Sequence, residues 1–228
     1  MKYFGAFILA VLISFNSLAQ SADKGKLFLD LDGGLAGYSV NSNATHTGSG
    51  AGLATMLNFG IGYNVQNSLN LGIEFNSHQF LVDSVRENTS ATSVASAVTG
   101  MFSFRLQYHL INKEKFNLYV GSKVGWSAFG IVAENTAGTV GILELGGTVV
   151  GLNAGFRKYF GNFGLRMELG FHQIPMVATA FYVDNIERIY YNNWLKVEDF
   201  KARFIGGYLT VGISLKLGKG KKKDAAEE

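Results

Sequence analysis

Residues 160–171 read FGNFGLRMELGF, with Phe163, Leu165, Met167, Leu169 and Phe171 at every second position and Gly164, Arg166, Glu168 and Gly170 between them. Successive side chains of a β-strand point to opposite sides, so this period of two makes one apolar face and one face with full charges. The same alternation recurs along the chain. It predicts strands over residues 27–38, 51–64, 69–82, 94–110, 116–131, 142–160, 163–180 and 201–217.

The connections between these segments alternate in length. Short turns are predicted near Val65-Gln66-Asn67, Asn112-Lys113-Glu114 and Gly161-Asn162, where the composition suits hairpins. The remaining joins, 39–50, 83–93, 132–141 and 181–200, are long and polar. An even number of strands with this alternation collects the short turns and both termini at one end and the long loops at the other.

Parity sorts the side chains into two sets. One carries Leu29, Leu31, Leu35, Leu57, Phe59, Leu71, Phe75, Phe104, Leu106, Val124, Trp126, Leu152, Phe156, Leu209, Val211 and Ile213, a uniformly apolar band. The other carries Asp30, Asp32, Glu74, Arg105, Lys123, Arg157, Arg166 and Glu168, four acids against four bases, interleaved with many glycines. A water-facing surface is rich in long charged chains and poor in glycine. Small residues mixed with sign-balanced charges suit a crowded interior, where charges must be paired and hydrogen-bonded. The lumen of an eight-stranded barrel is just wide enough to be filled by such side chains.

The ends and the composition sharpen this reading. Lys2, the apolar run 3–15 and Ser17-Leu18-Ala19 before Gln20 have the plan of a secretory signal peptide over residues 1–19. The barrel then occupies 20–217, and KGKKKDAAEE supplies a charged tail within 218–228. With Gly 29, Phe 18, Tyr 10, one Pro and only 16% charged residues, the composition suits a β protein that shows much of its surface to something other than water. The absence of cysteine excludes a disulfide framework and any thiol chemistry. The net charge is only +3, with four of the lysines in the tail, and no dispersed basic surface for nucleic acid is expected.

These features together resemble the small eight-stranded outer-membrane barrels, such as the OmpA transmembrane domain and OmpX, within the porin-like outer-membrane β-barrel group. The resemblance covers the whole mature chain. It implies an all-β, antiparallel, up-and-down transmembrane barrel in the cell outer membrane, with short periplasmic turns, four longer extracellular loops and a periplasmic tail. The sequence departs from that group in its last strand, which ends SLKLG before the charged tail and not in an aromatic terminus.

The candidate chemistry is sparse. Asp30, Asp32, Glu74, Arg105, Lys123, Arg157, Arg166 and Glu168 are expected to form a salt-bridge network that fills the lumen. His78 and His172 have inward parity, His109 lies near a periplasmic turn and His46 in a loop. None has a serine placed for a nucleophilic triad, and no close-spaced ligand set for a metal appears. Tyr190, Tyr191 and Trp194 make the loop 181–200 the candidate binding site for an extracellular ligand or protein. Lys201 and Arg203 share the lipid-facing parity at the outer rim, where lipopolysaccharide phosphates lie. The expected function is that of a monomeric, non-enzymatic outer-membrane barrel without cofactor, acting through its loops (adhesion or binding) or in envelope integrity. The alternatives are a narrow porin-like channel, a lipid-modifying enzyme, and a soluble lipocalin-like barrel with the two faces reversed.

Overall fold

The computed structural model describes residues 24–43, 49–81, 92–135, 140–190 and 196–218. The predicted signal peptide and nearly all of the charged tail lie outside these residues. Seven long strands come first: β1 (Leu27–Ser42), β2 (Ser49–Asn64), β3 (Leu69–Phe80), β4 (Thr92–Lys113), β5 (Phe116–Asn135), β6 (Val140–Phe160) and β7 (Phe163–Val183). A two-residue strand β8 (Ile186–Glu187) and a single 3-10 turn at Val197–Asp199 then lead into β9 (Lys201–Leu217).

Each long strand pairs antiparallel with its neighbour, and β9 pairs with both β7 and β1, so the ring closes with eight strands. Closure leaves no exposed edge. The short turns fall where the sequence predicts them, except that β4 runs through Lys113 and leaves Glu114 and Lys115 to make the turn. β4, β5, β6 and β7 have 20 to 22 residues, whereas about 9–11 tilted residues cross a bilayer. Their upper halves therefore rise beyond the membrane, and the join between β5 and β6 shrinks to 136–139.

The wall has irregularities on its outer half. Register shifts occur at Val94/Ser96 and at Glu144/Leu145, and a third lies lower, at His109/Ile111. Between Gly147↔Met176 and Val150↔Gln173 the β6–β7 ladder is interrupted for two positions without a change of register, beside Pro175, the only proline, which has no N–H to give.

Burial decides which face is inside. Leu35, Leu152, Trp126 and Phe160 are 62%, 64%, 59% and 59% exposed, whereas Asp30, Glu74, Arg157 and Glu168 are 0% exposed. A soluble barrel needs the opposite arrangement, because an apolar belt of this extent is unfavourable in water. The lipocalin-like alternative, with the charged face outward, is overturned by this polarity.

Candidate functional site

The lumen is layered along the barrel axis. At the periplasmic end Phe28 packs against Tyr159, with ring centroids 6.2 Å apart. The Tyr159 hydroxyl lies 3.2 Å from Ser214 Oγ, and the Lys216 ammonium sits 4.0 Å over the Tyr159 ring while donating to the Glu114 carbonyl. Buried asparagines, including Asn64 and Asn70, complete this cap.

Above the cap lies the ionic layer, where all eight lumen charges named from the sequence meet. Asp30 accepts from Arg105 Nη2 and Arg157 Nη2, each at 2.9 Å, and from Ser214 Oγ at 2.7 Å. Glu74 accepts from Lys123 Nζ at 2.6 Å and Arg105 Nη1 at 3.3 Å. Arg166 bridges Asp32 and Glu168, while Asn58 donates to Asp32 at 3.0 Å. The charges come from β1, β3, β4, β5, β6 and β7, and Asn58 and Ser214 bring in β2 and β9. Removing water from ions is costly, and only this density of partners offsets it.

Tyrosines finish the layer, and parity alone did not single them out. Tyr119 and Tyr208 donate to the two Glu168 oxygens at 3.0 and 2.8 Å. Arg166 Nε donates to Tyr119 at 2.9 Å, and the Arg157 guanidinium stands 4.5 Å over the same ring. Lys123 stands 4.7 Å over the Tyr208 ring. Their signal in the sequence is an inward tyrosine facing an inward glycine on the next strand.

Two of the three buried histidines, His78 and His172, mark the top of the ionic layer. The Tyr38 hydroxyl lies 2.8 Å from His78 Nδ1 and 3.4 Å from His172 Nδ1. The His172 ring stacks on Tyr208 at 4.5 Å. The Nε2 atoms of both histidines are buried with no hydrogen-bond partner among the described residues. Ser77, next to His78, lies on the opposite strand face, and His109 sits low in the barrel against Tyr119. His46 lies outside the described residues. Among the described residues no group of three or more His, Cys, Asp or Glu is placed to hold a metal ion.

The expectation of a lumen filled with charge is corrected in its outer half, which is apolar. Phe80, Phe129 and Phe204 meet with centroids 5.0 to 6.0 Å apart, Tyr38 packs on Phe80 and Phe204, and Met56, Met101, Met176, Leu143, Leu145 and Ile174 join them. Val197 and Phe200, from the approach to β9, are buried in the same cluster. The reason is the length of the strands. Above the membrane the wall meets water outside, so its core must be apolar inside.

Of the candidate loop residues, Tyr190 is 50% exposed and pairs by an isolated bridge with Lys196. Tyr191 and Trp194 lie outside the described residues. Phe200, from the same aromatic segment, packs inward and is not a surface anchor. Lys201 and Arg203 are exposed on the outer wall.

A closed ring of eight antiparallel strands, apolar outside and ionic within, joined by short turns at one end and longer connections at the other, decides the architecture. The fold is that of the small outer-membrane β-barrels. No protein-family model and no curated protein matches the sequence significantly. Among solved structures, the outer-membrane protein OprG from Pseudomonas aeruginosa is similar with a TM-score of 0.56 and 14% identity, over 88% of this chain and 99% of that one. Neisserial surface protein A is similar with a TM-score of 0.50 and 14% identity, over 85% of this chain and 100% of that one. At such identity the likeness to these outer-membrane barrels is one of fold.

Proposed function

We propose that this chain is a non-enzymatic, monomeric outer-membrane barrel whose interior is a plug and whose work is done by its outer rim and loops, in binding or adhesion, or by its contribution to envelope integrity. The observation that carries the reading is the continuity of the filling. The periplasmic cap, the ionic layer, the histidine–tyrosine step and the aromatic cluster follow one another along the axis. Support for the outer-membrane setting comes from the apolar belt and from the fold. Support for loop function comes from the exposed Ile186, Ile189 and Tyr190 beyond the barrel mouth.

A narrow channel is the second reading. It is favoured by polar atoms in the ionic layer that have no partner among the described residues, such as Asp32 Oδ1, Asn58 Oδ1, Ser103 Oγ and Arg157 Nη1. Groups of this kind hold bound water. The aromatic cluster lies across any path from them to the outside. Planar-bilayer recording of the reconstituted chain discriminates the two. The plug predicts a flat current trace, and sustained conductance steps from the wild-type chain would replace it with the channel.

A further inference from the structure

The boundary between the ionic layer and the aromatic seal holds donor atoms that neither layer uses. His78 on β3 and His172 on β7 come from opposite walls of the ring, and both are 0% exposed. Their rings lie 6.0 Å apart, centroid to centroid. Both Nδ1 atoms face one oxygen, the Tyr38 hydroxyl, at 2.8 and 3.4 Å, and each Nε2 is buried without a partner among the described residues.

Two methionines stand beside His78. Met56 is directly opposite it in the β2–β3 ladder, and Met101, which faces Asn76 across β3–β4, is its diagonal neighbour. Directly opposed β-carbons are about 5 Å apart and diagonal ones about 7–8 Å, within reach of a side chain as long and flexible as methionine. Both methionines are on the inner face, 5% and 3% exposed.

Two thioethers and two imidazoles make a neutral, soft donor set. Hard ions take carboxylate oxygens, and those of the layer below are engaged: Glu74 holds Lys123, Arg105 and Asn76, while Glu168 holds Arg166, Tyr119 and Tyr208. Soft thioether sulfur favours Cu(I), and a single positive charge is the least costly metal charge to bury. Metal-bound imidazoles also donate their second ring N–H to a fixed oxygen, and the Tyr38 phenol oxygen is placed to receive both. We propose that Met56, Met101, His78 and His172 bind one Cu(I) ion at the base of the aromatic seal. The ion is a ligand of the plug, and the reading of the rim and loops stands whether or not it binds.

The test refolds the mature chain in detergent with Cu(I) kept reduced by ascorbate, because Phe80, Phe129 and Phe204 close the lumen above the site. Loose metal is removed with bathocuproine disulfonate, and copper per folded barrel is counted. The expected count is one, with both sulfur and nitrogen scatterers in the copper X-ray absorption spectrum. Met56→Leu/Met101→Leu, which nearly conserves volume, and His78→Phe/His172→Phe should each lose the ion, whereas Met167→Leu on the outer face should keep it. Copper-free wild-type barrels overturn the proposal. So does copper that survives the methionine substitutions, or an equal uptake of Zn(II), either of which would mean a nitrogen site elsewhere, such as one using His46. A boiled-versus-unboiled gel on every variant confines the comparison to folded barrels. The wild-type spectrum decides even where a variant does not fold, since copper without sulfur scatterers contradicts the site.

Discussion

The ring of Tyr208 lies directly over Gly170, the residue it faces across the β7–β9 ladder. The same relation holds for the other three buried tyrosines: Tyr38 faces Gly206, Tyr119 faces Gly155 and Tyr159 faces Gly164. A β-carbon on any of these glycines would meet the ring opposite. These four glycines are therefore there to be covered, and each lets a phenol lie flat along the wall, as Tyr208 does in reaching Glu168.

Gly170→Val should push the Tyr208 ring off Glu168 and lower stability by about 1–3 kcal/mol, the usual range for overpacking. Urea unfolding of the barrel refolded in lipid vesicles measures it. The double variant Gly170→Val/Tyr208→Ala should recover part of the loss. If the glycine served only backbone freedom, the second substitution would restore nothing.

Asp30 sits between Arg105, Arg157 and Ser214, with Arg166 Nη1 3.9 Å away. Asp30→Asn leaves these guanidiniums with an uncompensated buried charge and is expected to cost about 3–5 kcal/mol, as when one partner of a buried pair is removed. The same unfolding midpoint reads it. Adding Arg157→Met, which removes the excess charge at similar volume, should return some stability.

How far this interior was legible in the sequence differs from layer to layer. Parity placed Asp30, Glu74, Arg105 and the rest of the ionic layer inside, because within the membrane span one face must be apolar and the other is forced inward. Higher up that contrast fades. The stretch IPMVATAF (174–181) is apolar at both parities, with Met176 and Ala178 inside and Val177 outside. Alternation cannot separate an apolar core from an apolar rim, so the aromatic seal was missed. The tyrosine–glycine pairs needed the register between strands, which no single segment contains.

The chain has no cysteine, so introduced thiols report on accessibility without background. Met101→Cys, at a position only 3% exposed in the outer lumen, should stay unlabelled by a membrane-impermeant maleimide in the folded protein and react after denaturation. Ile189→Cys, at a position 74% exposed, should react at once. Rapid labelling at position 101 in the folded state would mean that the outer lumen is open to water.

Val211, midway along the apolar face of β9 and 57% exposed, tests the belt. Val211→Arg should destabilise the barrel in lipid by about 2–4 kcal/mol, the cost of a cation near the bilayer midplane. On a water-facing wall the same change would be close to neutral.

The most direct test of the closed membrane barrel is heat-modifiability of the detergent-extracted membrane fraction on a denaturing gel. A compact, fast-migrating band before boiling that becomes a slower, extended one after it is the predicted result. Recovery of the chain in the soluble periplasmic fraction, with a single mobility before and after boiling, would contradict it.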